Sequence, residues 1–263
     1  KITPHTKAIL LVHQIGMPAD IDAFSALCKE KGLALVEDAA CAAGSEYKGQ
    51  KIGSHSDLVV FSFHPRKVIT TGDGGMITTS RDDYSERARL LRQHGMSVND
   101  RIRHESKKVI IEDHVEVGYN YRLTDIQAAV GIHQLERLDW IVEKRIEIAN
   151  KYLNAFVDQE GLRLPSLPEG NRTNWQSFSI YLLPQNGVDR NELMQAMLDR
   201  GVSTRRGIMT SHRATAYSSE GLSLPISEDL EDRSIVLPLF VPMEQEEIDY
   251  VINVFTEELK RLS

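Results

Sequence analysis

The first half of the chain alternates short apolar runs with stretches of helical period. Four apolar runs predict buried strands, at residues 8–12, 33–36, 58–63 and 75–79. Residues 18–31 carry one apolar helical face, and Gly32 is placed to end that helix. Because strands alternate with helices, we predict an α/β domain with a mainly parallel sheet.

Helical patterns continue toward the middle of the chain. Residues 82–94 predict a helix with Ser80 as its N-cap, and residues 96–117 are polar without a clear period, so we predict a loop there. Thr124 and Gln127 are spaced as a capping box. The apolar period that follows predicts one long helix to about residue 158.

Two prolines and a glycine, Pro165, Pro168 and Gly170, interrupt the pattern after that helix. The remaining pattern predicts a smaller α+β domain, with strands at 177–183 and 202–204 and helices at 189–200 and 244–261. We therefore predict a large domain over residues 1–158, which ends in a linking helix, and a small C-terminal domain over residues 159–263.

The composition is that of an ordinary folded protein and excludes several classes. The 263 residues carry 31 basic and 38 acidic side chains, a net charge of −7, so nucleic acid is not an expected partner. No apolar run is long enough to predict a membrane segment. Cys28 and Cys41 are too few for a disulfide framework, and the nine histidines lack zinc-site spacing. We expect no metal and a cytoplasmic location.

Two ionisable residues follow predicted strands and suit a common ligand. Asp38 ends the second strand, and Lys67 lies just past the third. Ligands of α/β proteins bind at the carboxyl ends of parallel strands. An amine for an aldehyde and an acid for a ring nitrogen are what pyridoxal phosphate (PLP) requires. The alternatives are a surface lysine in a turn and an aspartate that caps a helix.

Five motifs in order strengthen the ligand hypothesis. They are EDAA at 37–40, FSFH at 61–64, GDGG at 72–75, RQHG at 92–95 and GYNYRLTD at 118–125. Over essentially its whole length the chain resembles the DegT/DnrJ/StrS family of sugar aminotransferases. The resemblance implies the type I PLP fold, transfer of an amino group from an amino acid such as glutamate to a keto-sugar, usually nucleotide-linked, and a homodimer with shared active sites.

The resemblance also implies a role for each matching residue. Lys67 is the catalytic residue and forms a Schiff base with PLP, Asp38 pairs with the pyridine nitrogen, and Ser62 bonds the phosphate. Asn120 reaches the phosphate of the partner subunit's cofactor. Substrate contacts are implied more loosely for His64, Tyr121 and His212.

Two departures from the family pattern leave other hypotheses open. Cys41 stands near the cofactor ring, where the family usually has Gln or His, and a thiol is a weak hydrogen-bond partner. Family members also begin with a segment that carries most of the phosphate cup, which we expect this sequence to lack as a fragment of a longer protein. The alternatives are a non-catalytic scaffold and a sugar dehydratase, although dehydratases of this family have histidine at the lysine position.

Overall fold

The computed structural model describes residues 1–98, 100–217 and 221–263, which form two compact units. The first unit comprises Lys1–Gln14 and Pro18–Leu138, and the second comprises Ile15–Met17 and Asp139–Ser263. Within the described residues, no helix is both long enough and apolar enough to cross a membrane.

The first unit is built on a four-stranded sheet. In chain order its elements are β1 (Ala8–Val12), α1 (Ile21–Lys31), β2 (Ala34–Asp38), β3 (Glu46–Tyr47), β4 (Gln50–Lys51), β5 (Leu58–Ser62), β6 (Gly75–Thr78), α2 (Asp82–Leu91), α3 (Asp100–Glu105) and α4 (Asp125–Glu136). The strand order is β1-β2-β5-β6. The first two pairs are parallel and β5 pairs with β6 antiparallel, so the sheet is mainly parallel, as predicted.

Local sequence signals explain the ends of α1 and α4. The Asp20 carboxylate accepts the N–H of Ala23 at 3.2 Å, and Gly32 ends α1 in the left-handed conformation at φ 65°. The predicted capping box is present at α4, since the Thr124 hydroxyl accepts the Gln127 N–H at 3.2 Å. The sheet packs on one apolar cluster of buried side chains, Leu11, Ile21, Ala39, Ala42, Tyr47, Ile52 and Val59.

The second unit has a second sheet and its own core. Its elements are α5 (Leu138–Phe156), β7 (Leu162–Arg163), β8 (Phe178–Leu182), α6 (Arg190–Asp199), β9 (Arg205–Arg206), α7 (Pro225–Arg233), β10 (Ser234–Leu237) and α8 (Gln245–Leu262). The sheet order is β7-β8-β10-β9, with every pair antiparallel. Aromatic rings from α5, β8 and α8 meet in the core, among them Tyr152, Phe156, Phe178 and Phe255.

The division between the units differs from the boundary predicted at residue 158. The structure divides at Leu138, and almost all of α5 belongs to the second unit. The reason is packing, because Ile148, Tyr152 and Phe156 are buried in the core of the second unit. The predicted single long helix is also wrong, because it breaks at Arg137. There the backbone N–H bonds the carbonyls of Gln134 and Leu135, and the regular ladder ends.

Other local predictions need correction. Arg81, not Ser80, precedes α2 and makes no side-chain cap, and α2 ends at Leu91. Helix α3 lies inside the predicted loop 96–117, whose residue 99 is outside the described residues. In the second unit the predicted strand 202–204 is displaced to β9, because that segment pairs with β10 at residues 205 and 206. Helix α7 and strand β10 had no predicted counterpart.

Candidate functional site

The carboxyl ends of β2 and β5 lie side by side and carry Asp38 and Ser62. In the parallel register Asp38 is opposite Val60, so Ser62 lies two residues further along the neighbouring strand. The Asp38 backbone is fixed on both sides, since its carbonyl accepts the N–H of His13 at 3.0 Å and the next amide donates to the Val60 carbonyl at 2.9 Å. Asp38 Oδ1 accepts the Ala40 N–H at 3.0 Å. The half-buried carboxylate is therefore held in place, with Oδ2 unbonded among the described residues.

Lys67 lies in a loop that is closed at its base. The Phe63 N–H donates to the Gly74 carbonyl at 2.8 Å, and the Phe63 carbonyl accepts the Thr71 N–H at 3.1 Å. Next to Lys67, Val68 and Ile69 are buried and anchor the loop to the unit. These contacts join the two ends of a segment of about ten residues, so the lysine is held on a short, fixed loop at the end of β5.

The structure brings the Lys67 amine to the segment that follows Asp38. Lys67 Nζ lies 3.2 Å from the sulfur of Cys41, three residues after the aspartate. An amine, a thiol and a carboxylate are thus gathered at the carboxyl ends of two adjacent parallel strands, where α/β proteins bind ligands. Ser62 and His64 lie at the same strand end. Their side chains accept local backbone N–H groups, Ser62 Oγ that of His64 at 3.3 Å and His64 Nδ1 that of Arg66 at 3.2 Å.

Asn120 and Tyr121 lie on an exposed edge of the first unit, where two of the sequence motifs meet. Residues 92–95 and 118–121 run beside each other, with a bridge between Gln93 and Asn120 and a 2.9 Å bond from the Tyr121 N–H to the Arg92 carbonyl. A Cβ on Gly118 would lie 2.1 Å from the Gly95 nitrogen, so this close approach requires glycine. The Tyr121 ring is 73 % exposed and stacks on Tyr119.

His212 belongs to the second unit and lines a cavity there. The cavity has a volume of about 470 Å³ and is lined largely by apolar side chains, including Ile208, Met209, Leu222 and Leu224. His212 Nε2 lies 2.9 Å from Glu228 Oε1. The Leu224 N–H and His212 both bond this carboxylate, and together they lower the pKa of Glu228. The imidazole is therefore oriented by an acid at the wall of the cavity.

A buried polar pair lies beside Asp38 and was not assigned from the sequence. His13 and Glu37 are both fully buried, and Nε2 of the histidine lies 2.8 Å from Oε2 of the glutamate. The signal in the sequence was a glutamate inside an otherwise apolar run, followed directly by Asp38. Nowhere among the described residues is a group of three or more His, Cys, Asp or Glu side chains arranged to hold a metal ion.

Comparison with known proteins identifies the family. The model of the DegT/DnrJ/EryC1/StrS aminotransferase family matches residues 1–256. The chain belongs to this aminotransferase family. A relative from Methanocaldococcus jannaschii, an uncharacterized protein, is 34% identical over 258 residues, which cover 96% of this chain and 67% of the relative. The resemblance found in the motifs is thereby confirmed.

Solved structures of family members have the same fold. The aminotransferase TlmJ from Streptoalloteichus hindustanus has a TM-score of 0.89 and 32% identity, covering 100% of this chain and 68% of that one. A Streptococcus pneumoniae protein named as a sugar aminotransferase, solved in its PLP form, has a TM-score of 0.88 and 26% identity, covering 100% and 70%. The predicted type I PLP fold is confirmed, and the chain spans about two thirds of the length of these relatives.

Proposed function

We propose that this protein is a PLP-dependent aminotransferase that moves an amino group from an amino acid, glutamate, to a nucleotide-linked keto-sugar. The observation that carries the proposal is the 3.2 Å contact between Lys67 Nζ and Cys41 Sγ, which brings the amine to the segment after Asp38. Family membership supports the reaction class, and the donor and the nucleotide are our extension of it.

The residues present fit the cofactor. A flat ring with an aldehyde at one position and a basic nitrogen at another needs an amine, an acid and room between them. Lys67 provides the amine, and Asp38 offers an oxygen, Oδ2, that no described residue bonds. The small side chain of Ala40, which is only partly buried, lies two residues after the aspartate and allows a planar ligand to approach closely.

We assign the cofactor contacts residue by residue. Lys67 would bond covalently to the aldehyde carbon, and Asp38 would accept a hydrogen bond from the protonated ring nitrogen. Ser62 would bond the phosphate, and Cys41 would pack beside the ring, where its thiol is a weak hydrogen-bond partner. When bound, PLP supplies a ring that withdraws the electron pair released as a Cα–H bond breaks.

Lys67 has a second role in this proposal, which is to move a proton. With PLP and the donor bound, the Lys67 amine would take the proton from the donor Cα and deliver it to the carbon that was the aldehyde of the cofactor. The closed loop keeps Nζ near one position, and proton transfer requires such a fixed geometry. With the keto-sugar as substrate, the same Lys67 nitrogen would move a proton in the reverse direction.

The partner and substrate contacts are extended from the family resemblance. We assign Asn120 to the phosphate of the partner subunit's cofactor in a homodimer, and we assign His64, Tyr121 and His212 to the substrate. The surface of α4 supports a dimer, because Ile126 and Ile132 are exposed at 80 % and 60 %. Cys28 and Cys41 are not joined in a disulfide, in keeping with the reducing cytoplasm that we propose as the location.

The experiment is an assay that detects both products of the reaction directly. The purified protein is incubated with PLP, L-glutamate and a panel of nucleotide-linked keto-sugars, and mass spectrometry detects 2-oxoglutarate and the amino sugar. Lys67→Ala is expected to abolish both products, whereas Lys51→Ala, at an exposed hairpin position, leaves them unchanged. A sugar that loses water without gaining nitrogen would indicate a dehydratase instead. No product from the wild-type protein with any sugar would contradict the proposal.

A further inference from the structure

The buried pair of His13 and Glu37 is joined directly to Asp38. Glu37 immediately precedes Asp38 in β2, and His13 follows the last residue of β1. His13 contacts this strand end twice: its backbone N–H donates to the Asp38 carbonyl at 3.0 Å, and its ring contacts the Glu37 carboxylate at 2.8 Å. His13 therefore bonds both the backbone of Asp38 and the side chain of the residue before it.

The hydrogen bonds fix which ring nitrogen of His13 carries the proton. The Ala19 N–H donates to His13 Nδ1 at 3.1 Å, so Nδ1 is an acceptor. In the neutral ring the proton is then on Nε2, which donates to Glu37 Oε2. The imidazole thus connects the chain that leads into α1 with the end of β2, and both of its nitrogens are occupied.

The surroundings of Glu37 favour its charged form. Burial alone would raise the pKa of Glu37, but the hydrogen bonds from His13 and Ser56 outweigh burial, and the net effect lowers it. A buried carboxylate without its donor would be costly, since water cannot replace the lost hydrogen bond. Oε1 has no partner among the described residues, so loss of the 2.8 Å contact between Oε2 and His13 would leave this carboxylate poorly bonded.

We propose that His13 and Glu37 form a positioning pair that holds the end of β2 so that the Asp38 carboxylate is correctly placed for the ring nitrogen of the cofactor. The part that concerns the cofactor rests on the proposed function. The part that concerns the placement of Asp38 rests only on contacts within the first unit. A shift of about 1 Å in a reacting geometry can lower a rate by about a hundredfold, so such a pair can affect turnover without touching substrate.

Two substitutions at His13 separate its hydrogen bonds. In His13→Gln the amide nitrogen takes the place of Nε2 and keeps the donor to Glu37. In His13→Asn the amide oxygen takes the place of Nδ1, which keeps the acceptor for Ala19 and removes the donor to Glu37. The amide of Ala40 reports on Asp38, because it donates to Asp38 Oδ1. Hydrogen exchange at Ala40 is therefore measured in the cofactor-free protein.

We expect Ala40 to exchange about tenfold faster in His13→Asn, the equivalent of one ordinary hydrogen bond, and at close to the wild-type rate in His13→Gln. The Ile52 amide, bonded to the Ser45 carbonyl, is the internal reference and is expected to stay protected. Equal Ala40 exchange in both variants, or loss of protection at Ala40 and Ile52 together, would overturn the proposal. The proposal would also be overturned if the NMR chemical shifts of the His13 ring nitrogens in wild-type protein showed the proton on Nδ1.

The cofactor-loaded protein tests the link to function. In His13→Asn we expect the absorption maximum of bound PLP to shift in the same direction as in Asp38→Asn. We expect turnover to fall about ten- to a hundredfold, and His13→Gln to restore both the spectrum and the turnover. Ile52→Ala controls for general destabilisation of the same apolar cluster. A spectrum that moves in Asp38→Asn but not in His13→Asn would overturn the positioning role alone. Failure of every variant and of wild type to bind PLP would overturn the proposed function, and the exchange data would still decide the pair.

Discussion

The guanidinium of Arg145 is a buried cation that stabilises the second unit. It is 7 % exposed, and it donates from Nε to the Trp175 carbonyl at 2.8 Å and from Nη2 to the Gln176 carbonyl at 2.9 Å. Trp175 adopts φ 48°, a conformation that is unfavourable for a bulky side chain. Arg145 in α5 therefore holds a strained segment that leads into β8, and Arg145→Met should weaken the unit.

The magnitude follows from two opposing effects. Hydrogen bonds from a charged donor contribute about 1.5–3 kcal/mol each, so two of them contribute about 3–6 kcal/mol. Burial lowers the pKa of Arg145 to about 10, which corresponds to a cost of about 3 kcal/mol for keeping the charge inside. Because methionine carries no charge, the Arg145→Met substitution removes both hydrogen bonds and also the cost of burying a charge. We expect a net loss of about 1.5 kcal/mol, the midpoint of the two estimates, in the free energy of unfolding.

Urea unfolding followed by circular dichroism measures this loss. Arg145→Lys keeps a charge and can bond one carbonyl, so we expect about half the effect. Lys144→Met is the matched control on the same helix, since Lys144 is 43 % exposed and pairs with Glu147 at the surface. Its stability is expected to change by less than about 0.5 kcal/mol. An Arg145→Met protein as stable as wild type would refute the reasoning.

Four further predictions follow from single contacts. Asp38→Asn should weaken PLP binding at least tenfold in a fluorescence titration, since the protonated ring nitrogen loses a charged partner; unchanged binding would contradict the assignment. Gly118→Ala should lower stability by about 1–3 kcal/mol in thermal unfolding, because its Cβ would meet the backbone of Gly95. Thr124→Ala should cost about 1 kcal/mol in the same assay through loss of the capping box. Because folding lowers the pKa of Glu37 below its ordinary value, its stabilisation is complete above that ordinary value and is lost as pH falls through the folded pKa. In Glu37→Gln the free energy of unfolding should therefore fall less steeply as the pH is lowered, which acid titration followed by circular dichroism measures.

Much of the fold could be predicted because local signals and packing agree. The strand β1 and the ends of α1 and α4 follow from apolar runs, a left-handed glycine and a capping box. The break at Arg137 could not be predicted, because the apolar spacing continues across it and neither proline nor glycine is present. The division at Leu138 depends on which core α5 packs against, and that is a tertiary property.

The candidate site could be predicted in part. The order of strand ends indicated that Asp38 and Lys67 would lie at the same edge of the sheet, and the contact between Lys67 and Cys41 is in keeping with that expectation. The His13–Glu37 pair could not be found from spacing, because its members are 24 residues apart and meet only through the pairing of β1 with β2. The role of each site residue stays a prediction.

Covalent attachment of PLP to Lys67 is the central claim, and borohydride reduction followed by peptide mass spectrometry tests it most directly. The protein is loaded with PLP, reduced, digested and sequenced by mass. Our account predicts a phosphopyridoxyl group on the peptide that contains Lys67 and on no other peptide, and its absence from Lys67→Ala. A label on a different lysine, or an unlabelled Lys67 peptide from wild-type protein that has bound PLP, would contradict it.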